Sequence, residues 1–367
     1  MANPKRTTHR VALSMIVTAC LLTLTIAVSA CDTKGTDGDG SRPAFFLETD
    51  FSWKSVFTAS GPVTSIAAGG PGAVWASDKR GNIYFFNGST WRTQFRARDY
   101  KHNNIVCMCA FGPKRAYAVN TNSDSLEGGQ PKSVLYSFNG SAWARRAELE
   151  AEIRGVAALG GTLTCVVGGE RRAGSTSGVI YFYDGSTFRK QLEMDEVLTG
   201  VSAAGENRAW AVGDKGGVYF FDGRRWSKQR DVGGTLNCVA SIDASQVYVG
   251  GSATVAGRDT GVVHAFDGSK WTKIGEFPAT TDQQGSPNGI SVIAGVDYYH
   301  IWAVGNAAYS YNGSFWRIFY HPPGDFPPTC LTGSDTEHVW AGTADGGIYL
   351  RINVVPLRHL FPKETFR

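Results

Sequence analysis

The stretch Tyr84-Phe85-Phe86-Asn87-Gly88-Ser89-Thr90-Trp91 returns as Tyr136-Ser137-Phe138-Asn139-Gly140-Ser141-Ala142-Trp143. Further copies surround Gly185, Gly223, Gly268 and Gly313, closing on Phe188, Trp226, Trp271 and Trp316. From Gly88 to Gly313 the five steps average 45 residues, so the chain is built from a repeated supersecondary unit. Upstream of each copy lies a second motif, seen in Trp210-Ala211-Val212-Gly213 and Trp302-Ala303-Val304-Gly305 and degenerate in Cys165-Val166-Val167-Gly168. A short apolar segment such as Thr199-Gly200-Val201-Ser202-Ala203 precedes each of these by about nine residues. The unit therefore reads as four strands: an inner strand A, strand B with the Trp-Ala-Val-Gly motif, strand C ending in Asp/Asn-Gly, and an outer strand D opened by an aromatic residue. Each is short and alternating or wholly apolar, as strands buried between neighbouring sheets must be. Asn-Gly and Asp-Gly are expected to join C to D by supplying the positive φ angles of a tight hairpin.

Strand B motifs number seven, complete C–D hairpins six. After Ile348-Tyr349-Leu350 the last unit lacks its turn and its tryptophan, whereas Phe51-Ser52-Trp53-Lys54-Ser55-Val56 resembles an orphan strand D. The expectation is an all-β, seven-bladed β-propeller over residues 51–352, with the N-terminal strand completing the last blade. Such a join removes an exposed sheet edge and makes opening the ring costly. The recurring tryptophans are read as packing between blades, and the repeated Asn-Gly-Ser at Asn87, Asn139 and Asn312 as turn geometry.

The Trp-Ala-Val-Gly…Tyr-x-Phe-Asp/Asn-Gly-x-x-Trp unit resembles the repeats of bacterial propeller lipoproteins. More distantly it is similar to the Asp-box of sialidases, from which it departs in placing Asp or Asn directly before Gly. The resemblance implies the fold and little about function, because propellers host many activities.

Residues 1–30 read as an export signal: Lys5, Arg6 and Arg10, then an apolar run from Val11 to Ala30. Val28-Ser29-Ala30-Cys31 resembles the bacterial lipobox, which implies lipidation of Cys31 as the first mature residue and attachment to the extracytoplasmic side of a membrane. Residues 31–50 are then a flexible tether and 353–367 a C-terminal tail. The net charge of +4 falls to about +1 once the three leading bases are removed, which gives no general pull toward nucleic acid.

None of the seven histidines has metal-site spacing, and no nucleophile elbow, phosphate loop or dinucleotide fingerprint occurs. No catalytic residue, metal or cofactor is nominated. His264 stands where strand C elsewhere carries tyrosine, a structural role. Five cysteines follow Cys31, an odd number, and Cys107, Cys238 and Cys330 occupy a repeated inner-strand position. Cys107-Met108-Cys109 places two thiols on one strand face, the only hint of a redox or metal-handling role.

Function in a repeat protein concentrates in its irregular loops. The B–C connections swell at 120–133, 168–178 and 250–261, and the D–A connections are long at 94–104, 275–289 and 319–328. In a four-stranded blade both kinds emerge on the same face of the disc, here called the long-loop face. The candidate binding residues there are Arg96, Arg98, His102, Asp124, Arg171, Arg172 and Arg258. The reading is a monomeric, membrane-anchored scaffold that binds an envelope protein or glycan. A polysaccharide hydrolase or lyase is the alternative that carboxylates and arginines clustered at the channel mouth would favour.

Overall fold

The computed structural model describes residues 46–48, 51–122, 131–172, 175–278, 289–319, 322 and 327–353. The chain divides into Met1–Ala44, outside the described residues together with Cys31, and Phe45–Arg367, which holds every strand. Seven antiparallel sheets follow one another as blades. Blade 1 comprises Val63–Ala68, Val74–Asp78, Asn82–Phe86 and Trp91–Arg96, which are strands A to D in order. Blade 2 spans Ile105–Ala110 to Trp143–Leu149, blade 3 Glu152–Gly160 to Phe188–Met194, and blade 4 Leu198–Ala203 to Trp226–Asp231. Blade 5 runs from Thr235–Ser241 to Trp271–Pro278 and blade 6 from Val292–Asp297 to Trp316–Phe319. Blade 7 holds Cys330–Gly333, Val339–Gly342 and Gly347–Asn353. Its fourth strand is Phe51–Thr58, antiparallel to Gly347–Asn353 with Trp53 opposite Arg351. The fold is the seven-bladed β-propeller that the repeats imply, closed by its N-terminal strand. Phe51 packs edge-on against Phe319 of blade 6, so the closing strand also seals the neighbouring blade.

One strand has no counterpart in the repeat. Phe46–Glu48, within the stretch read as tether, lies parallel to the outer strand of blade 6, with Phe46 opposite Arg317.

The junctions of blades 1 and 2 and of blades 4 and 5 share one side-chain clamp. Except in blade 6, strand D carries a one-residue bulge opposite the middle of strand C, and in blades 1 and 4 the bulged residue is Gln94 or Gln229. Gln94 Oε1 accepts from Trp75 Nε1 of its own blade at 3.0 Å and from Trp143 Nε1 of the next at 2.7 Å. Gln229 does the same for Trp210 at 3.3 Å and Trp271 at 3.1 Å. A buried indole thus keeps an acceptor while its ring fills the cleft between blades.

The C–D turns differ from the expectation. Only their glycines have positive φ, for example +95° at Gly88 and +91° at Gly223. The preceding Asn or Asp works through its side chain: Asn87 Oδ1 accepts from the amides of Ser89 and Thr90 at 3.0 and 2.9 Å, and Asp222 Oδ1 from Arg224 and Arg225 at 2.8 Å each. The motif is an Asx-turn capped by glycine, with the backbone of Asn87 and Thr90 closing the loop.

Candidate functional site

Strands A line the central channel. At the A–B end they enclose a cavity of about 400 Å3, walled mainly by alanines and small aliphatic side chains with Met108, Cys109, Ser202, Ser241 and Thr332 among them. Near the opposite end, inner strands bulge at Thr64, Thr199 and Asn237. These side chains donate to the next blade's inner strand, Thr64 to Ile105 O at 2.5 Å, Thr199 to Leu236 O at 2.7 Å and Asn237 to Ile290 O at 3.0 Å. Thr329 completes the closure by donating to Val63 O at 2.7 Å. These four groups tie neighbouring blades together, whereas Arg154, at the same bulge of blade 3, is exposed and pairs with Glu152 of its own strand at 3.1 Å.

The described cysteines are free thiols, and burial pushes Cys109 and Cys330 up to about 12 and Cys107 and Cys238 also upward. Groups that hold their protons so firmly are poor ligands and nucleophiles near neutral pH. Among the described residues, no three His, Cys, Asp or Glu converge as a metal site would require. His264 takes the tyrosine position opposite Val249, and burial lowers its pKa, with Lys273 and Arg230 adding to the shift.

On the long-loop face a carboxylate meets the strand C tyrosine in four consecutive blades. Asp78 accepts from Tyr84 Oη at 2.8 Å, Asp99 from Tyr136, Glu170 from Tyr181, and Glu196 from Tyr219 at 2.6 Å. Glu196 is buried and also accepts from the amides of Gly217 and Lys215. Burial alone would raise the Glu170 pKa, but Lys190 at 2.7 Å, Tyr181 and Arg172 outweigh it and hold the carboxyl below its usual value. These acids stand one per blade, each turned inward onto its own tyrosine, so they do not form the carboxylate pair that a glycoside-cleaving site uses.

The swollen B–C connections of blades 3 and 5 are not loops. Strands Leu163–Arg172 and Ser175–Tyr183 continue as a hairpin in which Arg171 faces Thr176 and Arg172 faces Ser175. In blade 5 Val255 pairs with Arg258 across a two-residue turn, Ala256 at φ +49° and Gly257 at +76°. Arg171, Arg172 and Arg258 are exposed at these tips, and Arg172 reaches back to Glu170 at 3.1 Å. Asp124 lies outside the described residues.

Arg96, Arg98 and His102 cluster on the connection from blade 1 to blade 2, which Asn103 organises. Its Oδ1 accepts from the amides of Asp99 and Tyr100 at 3.1 and 3.2 Å and from Asn120 Nδ2 at 2.8 Å, while its Nδ2 donates to Tyr100 O at 2.6 Å. Asp99 faces inward to Asn120 and Arg145. The backbone of this connection is bonded to the B–C turn of blade 1 through Ala97 N and Gly81 O at 2.8 Å, which brings in Lys79 and Arg80. Lys79, Arg80, Arg96, Arg98 and Lys101 are all exposed, and none has an ion-pair partner among the described residues. Sequence reasoning found Arg96, Arg98 and His102 but passed over Lys79, Arg80 and Lys101, because Asp78-Lys79-Arg80-Gly81 reads as an ordinary tight turn. The predicted residues thus fall on three alternate blades of one face, and only the first group forms a charged cluster.

No protein-family model matches the chain, and no curated protein matches it. Its backbone is that of a seven-bladed propeller and superposes on solved propellers of low identity. A structure of YCF48 bound to D1 peptide has a TM-score of 0.57 at 12% identity, covering 84% of this chain and 100% of that one. YCF48 from Cyanidioschyzon merolae gives 0.56 at 17%, with 82% and 98% covered. U3-55K gives 0.59 at 11%, also with 82% and 98% covered. Likeness at these identities establishes the fold alone.

Proposed function

We propose that this chain is a lipid-anchored extracytoplasmic scaffold whose long-loop face binds an acidic segment of a partner protein. The observation that carries the reading is the exposed basic cluster of Lys79, Arg80, Arg96, Arg98 and Lys101, on two connections joined through Ala97 and Gly81, none of them ion-paired among the described residues. Exposed like charges on a rigid loop are costly to bring together unless a complementary surface meets them, and their main gain is in steering and specificity. The hairpins carrying Arg171, Arg172 and Arg258 extend the same face. Peptide binding by a propeller of this backbone has a precedent in the YCF48 complex with D1 peptide. Export and attachment through Cys31 rest on the lipobox-like sequence, and the described chain begins with Phe46 beside Arg317, at the end of the outer strand of blade 6 remote from the long loops.

The test is co-purification from native membranes with charge-reversed variants whose folding is verified by circular dichroism. Arg96→Glu with Arg98→Glu should remove the partner, Arg171→Glu with Arg172→Glu or Arg258→Glu should weaken it, and Asp222→Asn should leave it in place. Retention of the partner by every long-loop variant overturns the assignment. Cys31→Ser should yield protein without acyl chains, and palmitate incorporation into that variant would place the lipid elsewhere.

A further inference from the structure

The Trp–Gln–Trp clamp provides an internal standard against which each junction between blades can be compared. At the junction of blades 1 and 2 it consists of Trp75 stacked at 5.0 Å on Phe85, with Gln94 bridging to Trp143. The junction of blades 4 and 5 repeats it with Trp210, Phe220, Gln229 and Trp271. At the junction of blades 2 and 3 all four positions change: Tyr117 stands for the tryptophan, Ser137 for the phenylalanine facing it, Arg146 for the glutamine, and Phe188 for the second tryptophan. Side-chain volume is lost at three of them, and a cavity of about 610 Å3 opens between the blades on the face of the A–B and C–D turns.

The replacement is chemical as well as steric. Phe111, Lys114, Arg115, Tyr117 and Arg146 line the cavity, and its wall contains no carboxylate. Arg146 is fixed by a 2.7 Å bond from Nε to Ser137 Oγ, the atom that the missing phenylalanine would displace, and Arg115 is anchored to Gly161 O. Phe111 is 44% exposed at the rim, unusual for so large an apolar side chain. The junction of blades 5 and 6 supplies a control. Tyr248 and Ala265 replace Trp and Phe there too, and a cavity of about 290 Å3 results, but its wall carries Asp267 and no cation. The junction of blades 6 and 7, where Ser310 again stands for the phenylalanine, has a cationic cavity too, with Arg317 and Arg351 in its wall, but at about 190 Å3 it is under a third the volume of the cleft between blades 2 and 3, which joins a cationic wall to room for two side chains.

We infer that this cleft is a peptide-binding site for a segment in which an acidic residue adjoins an aromatic one. The carboxylate meets Arg115, Arg146 and Lys114, the ring fills the space vacated by the indole and lies against Phe111 and Tyr117, and Asn139 and Thr162 offer neutral hydrogen-bonding groups for the peptide backbone. The volume exceeds that of a single large side chain, which suits two adjacent residues better than a bare inorganic anion. The inference does not rest on the long-loop-face reading, since the two sites share no residue.

The experiment titrates the full chain with a blocked hexapeptide, acetyl-Gly-Ser-Glu-Phe-Ser-Gly-amide, against its Glu-to-Gln and Phe-to-Gly analogues and against inorganic phosphate. The acidic-aromatic peptide should bind at least fivefold more tightly than either analogue, and phosphate should not displace it at equal concentration. Two variants locate the binding. Tyr117→Trp/Ser137→Phe/Arg146→Gln transplants the clamp of blade 1 and closes the cleft, and Arg115→Gln/Lys114→Gln removes charge at the exposed Lys114 and the half-buried Arg115 without filling it. Both should lose binding at least fivefold, while Arg96→Glu/Arg98→Glu should bind like wild type. Equal binding of the analogues, displacement by phosphate, or full binding by the folded charge variant overturns the inference; should the triple variant fail to fold, the charge variant decides alone.

Discussion

Buried indole N–H groups show how much a single residue matters to a ring of stacked blades. At the closing junction of blades 7 and 1, Val56 occupies the bulge where blade 1 has Gln94 and blade 4 has Gln229. Trp340 and Trp91 still meet edge to face at 5.7 Å, but neither Nε1 finds an acceptor. A donor buried without a partner costs about 1–3 kcal/mol, and a hydrogen bond regained returns about 1 kcal/mol. Val56→Gln is therefore expected to stabilise the propeller by about 1–2 kcal/mol, and Gln94→Leu to destabilise it by about 2 kcal/mol, because two indoles lose their acceptor at once. Chemical-unfolding midpoints measure both, and unchanged midpoints would mean that the bulge residue does not satisfy the indoles.

A second residue-scale expectation concerns acid. Amide donors at the C–D turns, Thr187 and Ser186 for Asp184 and Lys270 and Ser269 for Asp267, hold these carboxyls down to about 2, and Asp222 is lowered for the same reason. A folded pKa below the unfolded value of about 3.9 gives stability that is complete above that value. It is lost as pH falls from about 4 through about 2. Blades 1, 2 and 6 use asparagine at this position, which offers the same acceptor without a charge. Replacing Asp184, Asp222 and Asp267 together by Asn should leave the neutral-pH melting temperature nearly unchanged and flatten its fall between pH 4 and 2. An identical acid profile would show that the turn carboxylates do not govern it.

At the scale of strands and blades, the repeat and its closure were legible because they depend on periodicity and on a count of motifs. Seven strand B motifs against six turns leave one outer strand to be found, and Trp53 supplies it. Hairpin extension in blades 3 and 5 was not legible: 168–178 and 250–261 are rich in Gly, Ser and Thr, and sheet pairing at a protruding edge is set by partner register rather than by propensity. The cluster around Asn103 was only half legible, since the contact joining Ala97 to Gly81 links two turns of one blade across its edge. The cleft between blades 2 and 3 was hidden for a different reason. Tyr117 and Phe188 fit the aromatic pattern that identifies the fold, and what matters for the site is how they fall short of it. For closure, deleting residues 32–49 should cost little, because Phe46–Glu48 is three residues on a sheet edge. Deleting 32–57 removes Phe51, Trp53 and the pairing with Gly347–Asn353, and should lower the melting temperature of the whole ring. Equal melting of the two truncations would show that the N-terminal strand is not the closing element.

For the whole molecule, the two faces of the disc carry different chemistry, and under the proposed lipid attachment at Cys31 the position of the chain's entry bears on which of them would face a membrane. Phe46 and Phe51 both begin strands that run toward the long-loop face, so the chain comes in from the short-turn side at blades 6 and 7. The residues between Cys31 and Phe46 number fourteen. Any chain of that length reaches about 20 Å as a flexible coil and at most ~50 Å fully extended. Entry is at the rim, and reaching the far face would use up a strand length of that reach, ~20 Å for an outer strand such as Trp91–Arg96, so the entry side is the nearer to an attachment at Cys31. With Cys31 lipidated, the short-turn face should lie toward the bilayer and the basic cluster of the long-loop face away from it. The cleft between blades 2 and 3, across the ring from blades 6 and 7, would then suit a partner segment close to the membrane surface. Lysine reactivity tests this arrangement. Lys79 and Lys101 are exposed on the long-loop face, and Lys114 and Lys270 on the short-turn face. A membrane-impermeant amine reagent applied to the membrane-bound protein should modify Lys79 and Lys101 as fast as in the detergent-released form, and Lys114 and Lys270 several-fold more slowly. Equal slowing on both faces, or slowing confined to Lys79 and Lys101, would reverse or abolish the proposed orientation.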